Sequence, residues 1–79
     1  MSPSLADLRP GQTAEIVSID CDRRISRRLM EMGLLPGTRV RLIRLAPLGD
    51  PLELRLRGYA LSVRRAEAIQ IGTRSQETD

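Results

Sequence analysis

Arg27-Arg28-Leu29-Met30-Glu31-Met32-Gly33-Leu34-Leu35-Pro36-Gly37-Thr38 is the stretch on which the fold turns. It reads as the last turns of a helix, a glycine stop, a tight Pro-Gly turn and the start of a strand. Gly33 suits the left-handed position that ends helices. Pro36 presets φ for the second position of a type II turn, and Gly37 accepts the positive φ of the third. The stretch holds no histidine, cysteine or serine. It points to a binding module and away from an enzyme.

Upstream, Leu8-Arg9-Pro10-Gly11-Gln12-Thr13 has the same turn chemistry, and both turns release strands. A shared geometric need accounts for the likeness better than internal duplication. The first strand is expected from Thr13 to Ile19, with Ile16, Val17 and Ile19 as core candidates. Asp20 or Asp22 can cap a helix running from about Arg23 to Met32. Ile25, Leu29 and Met32, at i, i+4 and i+7, give that helix one apolar face.

Downstream, Thr38 to Ala46 alternates as a strand, with Val40 and Leu42 inward and Arg39 and Arg41 outward. The phase blurs at Ile43 and Leu45, which predicts a bulge. Pro47 to Pro51 is a loop. Leu52, Leu54 and Leu56 alternate with Glu53, Arg55 and Arg57 in the cleanest strand of the chain. Gly58 permits a reversal into Tyr59 to Val63, with Leu61 and Val63 inward. Arg64 to Ala68 reads as one helical turn, and Ile69 to Ile71 as a last short strand. The fold class is therefore mainly β: a small five-stranded SH3-like barrel with one helix between the first and second strands. The 79 residues are read as a single domain, 1–79, with a core of about 5–71 and a loose polar tail at 72–79.

Composition narrows the function. All thirteen basic residues are arginine, the net charge is +3, and Tyr59 is the only aromatic. Single-strand nucleic-acid binders stack bases on aromatic side chains, and peptide-binding SH3 domains line a groove with them. One tyrosine supplies neither. Arginine contacts to duplex phosphates need no aromatics, so a basic nucleic-acid-binding barrel stands as the alternative function. With no histidine, neither Cys21 nor any serine has a paired base, so no nucleophilic chemistry is expected. No cofactor loop is present. Asp20-Cys21-Asp22 is the only cluster of metal-ligating types, and adjacent residues rarely converge on one ion. One cysteine, no signal-peptide core and no apolar run long enough for a membrane span point to the cytoplasm.

Three surfaces are candidates for a partner. Arg23, Arg24, Arg27 and Arg28 form the densest charge cluster, with like charges stacked at i, i+4. They suit an acidic or phosphate-bearing partner, or are an ordinary solvated face. Leu34 and Leu35 at the helix-to-strand corner are either an apolar contact or part of the core. Pro47, Leu48 and Asp50 in the loop are either a contact or a rigid hairpin connection.

An ordered set of motifs also carries a resemblance that runs from Leu5 to Ile71. It comprises Leu8-Arg9-Pro10-Gly11, Val17-Ser18-Ile19, Arg28 through Val40, Ala46-Pro47-Leu48-Gly49-Asp50-Pro51, Arg57-Gly58-Tyr59, Leu61-Ser62-Val63-Arg64 and Glu67-Ala68. The set resembles the bacterial ferrous-iron transport accessory proteins, the FeoA family. The resemblance implies an SH3-like fold, a cytoplasmic location and a role in ferrous-iron uptake. Its implied partner is the FeoB-type membrane iron permease, which has a cytoplasmic GTP-binding part. The accessory protein is expected to modulate that permease without carrying iron, as a monomer or weak oligomer. Similar domains form the C-terminal lobe of iron-dependent repressors of the diphtheria-toxin type, but this chain has no helix-turn-helix region.

Overall fold

Gly33 ends its helix with a Schellman motif. A computed structural model describes residues 3–76, and helix α1 spans Arg23–Glu31. The Gly33 N–H donates to the Met30 carbonyl at 3.0 Å and the Leu34 N–H to the Leu29 carbonyl at 3.0 Å. Gly33 has φ +102, the left-handed region that favours glycine. Leu29 and Leu34, the two residues joined by the outer bond, are both buried in the core. At the other end Asp22 caps the helix, its carboxylate accepting from the Ile25 N–H at 3.0 Å.

Five strands follow the expected order: β1 (Thr13–Ile19) before α1, then β2 (Arg39–Leu45), β3 (Leu52–Leu56), β4 (Tyr59–Val63) and β5 (Ile71–Gln76). They form one antiparallel sheet in the order β4-β3-β2-β1-β5, the SH3-like arrangement. Helix α2 (Arg65–Ala68) links β4 to β5. The buried side chains include Ile16, Leu29, Leu34, Val40, Leu42, Leu52, Leu54, Leu56, Val63 and Ile71. Of the expected apolar face of α1, Leu29 is buried, and Ile25 and Met32 are half-buried.

The two Pro-Gly turns clamp β1 to β2 from opposite ends. In the first, the Gly11 N–H donates to the Leu42 carbonyl (2.7 Å), and the Leu42 N–H returns to the Gln12 carbonyl (3.0 Å). In the second, the Gly37 N–H donates to the Ile16 carbonyl (2.6 Å), and the Ile16 N–H returns to the Thr38 carbonyl (2.8 Å). Each turn releases one strand and bonds to the other, in the manner of a glycine-led bulge.

Several expectations fail at the chain ends and bulges. The last strand is Ile71–Gln76, not Ile69 to Ile71, so the tail expected to be loose at 72–79 is paired with β1 as far as Gln76; residues 77–79 lie outside the described residues. Thr73 is buried there with no apolar alternation to mark the strand. Val17, expected in the core, is 38% exposed because the β1–β5 register shifts between Ile16 and Ser18. The bulge expected near Ile43 is present, between Leu42 and Arg44. A 3-10 turn at Leu5–Asp7, not expected from periodicity, buries Leu5 in the core. Its signal is the Ser4-x-x-Asp7 capping box, in which the Ser4 side chain accepts from Ala6 and the Asp7 carboxylate accepts from the Ser4 N–H at 2.8 Å.

The single aromatic joins the hairpin to the helix stop. The Tyr59 hydroxyl donates to the Met32 carbonyl, and a Cβ at Gly33 would collide with the Tyr59 Oη. Gly37 also has positive φ, but the space around it is open.

A second tie holds α1 to α2. Arg28 and the buried Glu67 form a salt bridge, and the Cys21 thiol donates to the Glu67 backbone carbonyl at 3.7 Å. Burial pushes the Cys21 thiol above its ordinary 9.0, with the Glu67, Asp22 and Asp20 carboxylates adding to the rise and Arg28 opposing it.

Three outcomes follow from these contacts. Gly33→Ala loses about 2–3 kcal/mol in denaturant unfolding, whereas Gly37→Ala, which meets only the φ penalty, loses about 1 kcal/mol. In a double-mutant cycle with Tyr59→Phe, the Gly33→Ala cost shrinks, since the colliding atom is gone; strict additivity would refute the contact. A raised thiol pKa favours the folded state below the unfolded value and is lost as pH rises through the folded one. The thiolate of Cys21 should therefore form with a midpoint above 9.0 in the native protein, read by alkylation rate against pH.

Candidate functional site

Helix α2 is the common neighbour of two of the candidate surfaces. Arg64, the N-cap residue just before it, offers no side-chain cap. Asp50, from the loop between β2 and β3, takes that place: its Oδ1 accepts from the Arg65 N–H at 3.0 Å, and Arg65 Nη1 donates to the Gly49 carbonyl at 3.5 Å. One side of α2 thus holds the loop, and Glu67 on the same helix holds Arg28 of α1.

The loop itself is closed by backbone bonds. Gly49 N–H donates to the Ala46 carbonyl at 2.7 Å, and Ala46 N–H to the Pro51 carbonyl at 3.1 Å. Gly49 takes the positive φ, +84, that the turn requires. This frame displays Leu48 with 95% of its surface exposed. Pro47 is exposed beside it and borders a shallow concavity together with Leu45, Pro51 and Ser62. Asp50, by contrast, is committed to the α2 cap, so its role is structural first.

On α1, Arg23, Arg24 and Arg27 are exposed and line a second shallow concavity. Among the described residues no ion pair engages them. Arg28 belongs to the Glu67 bridge and is anchored within the molecule. The corner divides in the same way: Leu34 has no exposed surface and closes the core, while Leu35 is 38% exposed. The sequence left each of these pairs undivided, because spacing along a helix does not say which arginine finds a buried carboxylate. Glu67 was missed as that carboxylate; an acid in a four-residue helix flanked by alanines was its only signal.

Among the described residues no three His, Cys, Asp or Glu side chains come together as a ligand set. No helix among the described residues is long and apolar enough to cross a membrane.

Comparison with known proteins bears on the family and the fold. The FeoA domain model matches residues 4–74. A fusion of Fe(2+) transport protein A with the Fe(2+) transporter FeoB from Porphyromonas gingivalis is 34% identical over 67 residues, which is 85% of this chain and 8% of that protein. The solution structure of FeoA from Chlorobium tepidum shares 38% identity and superposes with a TM-score of 0.91, covering 98% of this chain and 73% of that one. FeoA of Stenotrophomonas maltophilia, solved in complex with zinc and described as a prokaryotic SH3 domain protein, shares 26% identity with a TM-score of 0.78, over 91% of this chain and 89% of that one. With a family match over nearly its whole described length and the five-stranded fold to go with it, this chain belongs to the FeoA domain family.

Proposed function

We propose that this protein is a cytoplasmic, non-enzymatic accessory factor of ferrous-iron uptake that binds and modulates a FeoB-type permease. The observation that carries the reading is the Porphyromonas gingivalis fusion, in which a FeoA-type region and a FeoB transporter share one polypeptide. Joining two modules in one chain holds them at high effective concentration, which is useful when the separate modules work together. The present chain corresponds to a small part of that protein, so the transport itself lies with the partner.

Two surfaces and one corner residue suit the contact. The exposed arginines Arg23, Arg24 and Arg27 engage no ion pair among the described residues and fit an acidic face. Leu48 offers an apolar anchor on a loop that is already ordered, and Leu35 a smaller one at the corner. Buried apolar anchors with charged surroundings are the usual anatomy of a protein contact.

The test is capture of this protein by the purified cytoplasmic GTP-binding part of the permease. The triple variant Arg23→Glu, Arg24→Glu, Arg27→Glu should weaken capture by roughly ten- to a hundredfold, since each exposed charge pair contributes about 0.2–1 kcal/mol and reversal adds repulsion. Leu48→Ser, which removes the apolar anchor without adding charge, should weaken it independently of salt. Capture unchanged by both variants would exclude these surfaces. Salt-sensitive retention of generic duplex DNA, with no permease capture, would replace this reading with the nucleic-acid one.

A further inference from the structure

The sheet has two edges, and among the described residues only one is covered. Beside β5, the Thr73 N–H donates to the Pro3 carbonyl at 3.0 Å, and Ser4 bridges Gly72 in antiparallel fashion. The opposite edge is β4. Among the described residues, no backbone hydrogen bond outside the β3 ladder involves Tyr59–Val63.

The hairpin geometry says which groups that edge presents. Arg57 and Gly58 form a two-residue turn with φ +50 and +86, so Leu56 and Tyr59 are the hydrogen-bonded pair next to it. Bonded and non-bonded pairs alternate in an antiparallel ladder. Leu61 and Val63 therefore bond to β3, and the N–H and C=O groups of Ala60 and Ser62 point outward. Natural edge strands are usually blunted by charge, proline or a bulge. Tyr59–Val63 has none of these, and its register with β3 is continuous.

The outer face of the sheet adds a charge signal. Arg41 pairs with Arg55, and Arg55 pairs with Ala60. Like charges directly opposite one another destabilise a sheet. Among the described residues no ion pair relieves either arginine. The neighbouring row is already neutral, because Arg44 and Glu53 form a salt bridge at 2.7 Å beside Ser62. At the edge, the small methyl group of Ala60 leaves Arg55 open to whatever lies beyond it. Arg57 and Arg64 stand exposed at the two ends of β4.

We infer that the β4 edge accepts an extended acidic segment of a partner protein as a sixth strand, with a carboxylate opposite Ala60 reaching Arg55. Strand addition supplies affinity through the backbone and specificity through alternate side chains. A residue opposite Ala60 lies two strand spacings, about 10 Å, from β3, a gap that a carboxylate and an arginine side chain together span. A second copy of this chain fits the edge less well. Pairing through its own β4 would bring no carboxylate to Arg55, since Tyr59–Val63 contains none. This inference stands apart from the proposed permease contact, which uses α1 and the β2–β3 loop.

The probe is a capped octapeptide of alternating valine and glutamate, compared with valine–lysine and glycine–glutamate peptides of the same length. Amide hydrogen exchange and chemical shifts are followed residue by residue. The valine–glutamate peptide should slow exchange at Ala60 and Ser62, while the lysine peptide and the flexible glutamate peptide should not. Arg55→Glu, an exposed change that leaves the β4 backbone intact, should weaken binding by roughly three- to tenfold, the span of a cross-strand charge pair turned repulsive. Ser62→Pro, which removes one outward donor, should weaken the slowing at Ala60. No response of Ala60 and Ser62 to the acidic peptide overturns the inference, as does equal response to all three peptides. Slow exchange of these amides in the peptide-free protein, rising with protein concentration, overturns it in favour of a second copy.

Discussion

The backbone at Gly33 is the constraint on which this small protein depends. One residue must end a helix, take a left-handed conformation, and leave room for the only aromatic side chain. The stop aims Leu34 into the core within one residue of the helix end, so the chain turns from helix to barrel without a long loop. Tyr59 then fastens the β3–β4 hairpin to the same point through the Met32 carbonyl. A chain of 79 residues cannot bury much of its surface, and each such junction carries a larger share of the stability than in a bigger domain.

The rest of the fold is a set of elements completed by their neighbours. The Pro-Gly turns finish each other's strands. Asp50 caps a helix it does not belong to, and Glu67 satisfies an arginine from another helix. None of these partnerships is local. The loop that shows Leu48 is therefore rigid for reasons that lie in α2, and a partner that binds it meets a surface whose ordering cost was met on folding.

This distribution explains what could be read from the sequence. The strands with strict apolar alternation, β3 above all, and the glycine-ended helix were legible because their patterns are local. The ends of β1 and β5 were not. Val17 faces outward only because a bulge shifts its register, and Thr73 and Ser75 are strand residues by virtue of β1 beside them. The candidate site was legible as three surfaces, but its division was not. Arg28 differs from Arg27, and Leu34 from Leu35, only through contacts with residues far along the chain. The Arg41–Arg55 pairing required the β2–β3 register across a bulge.

The position of β1 has a kinetic consequence. It is the only strand bonded to both β2 and β5, and its ladder with β5 joins Thr13 to Gln76. Such pairing must wait until nearly all of the described chain is available, and closing so long a loop is entropically slow. The hairpin of β3 and β4 and the helix stop can form early, from contacts near in sequence. During synthesis, then, β1 would remain a half-paired strand until its last neighbour emerged, and the barrel would close from its middle outward to its first strand.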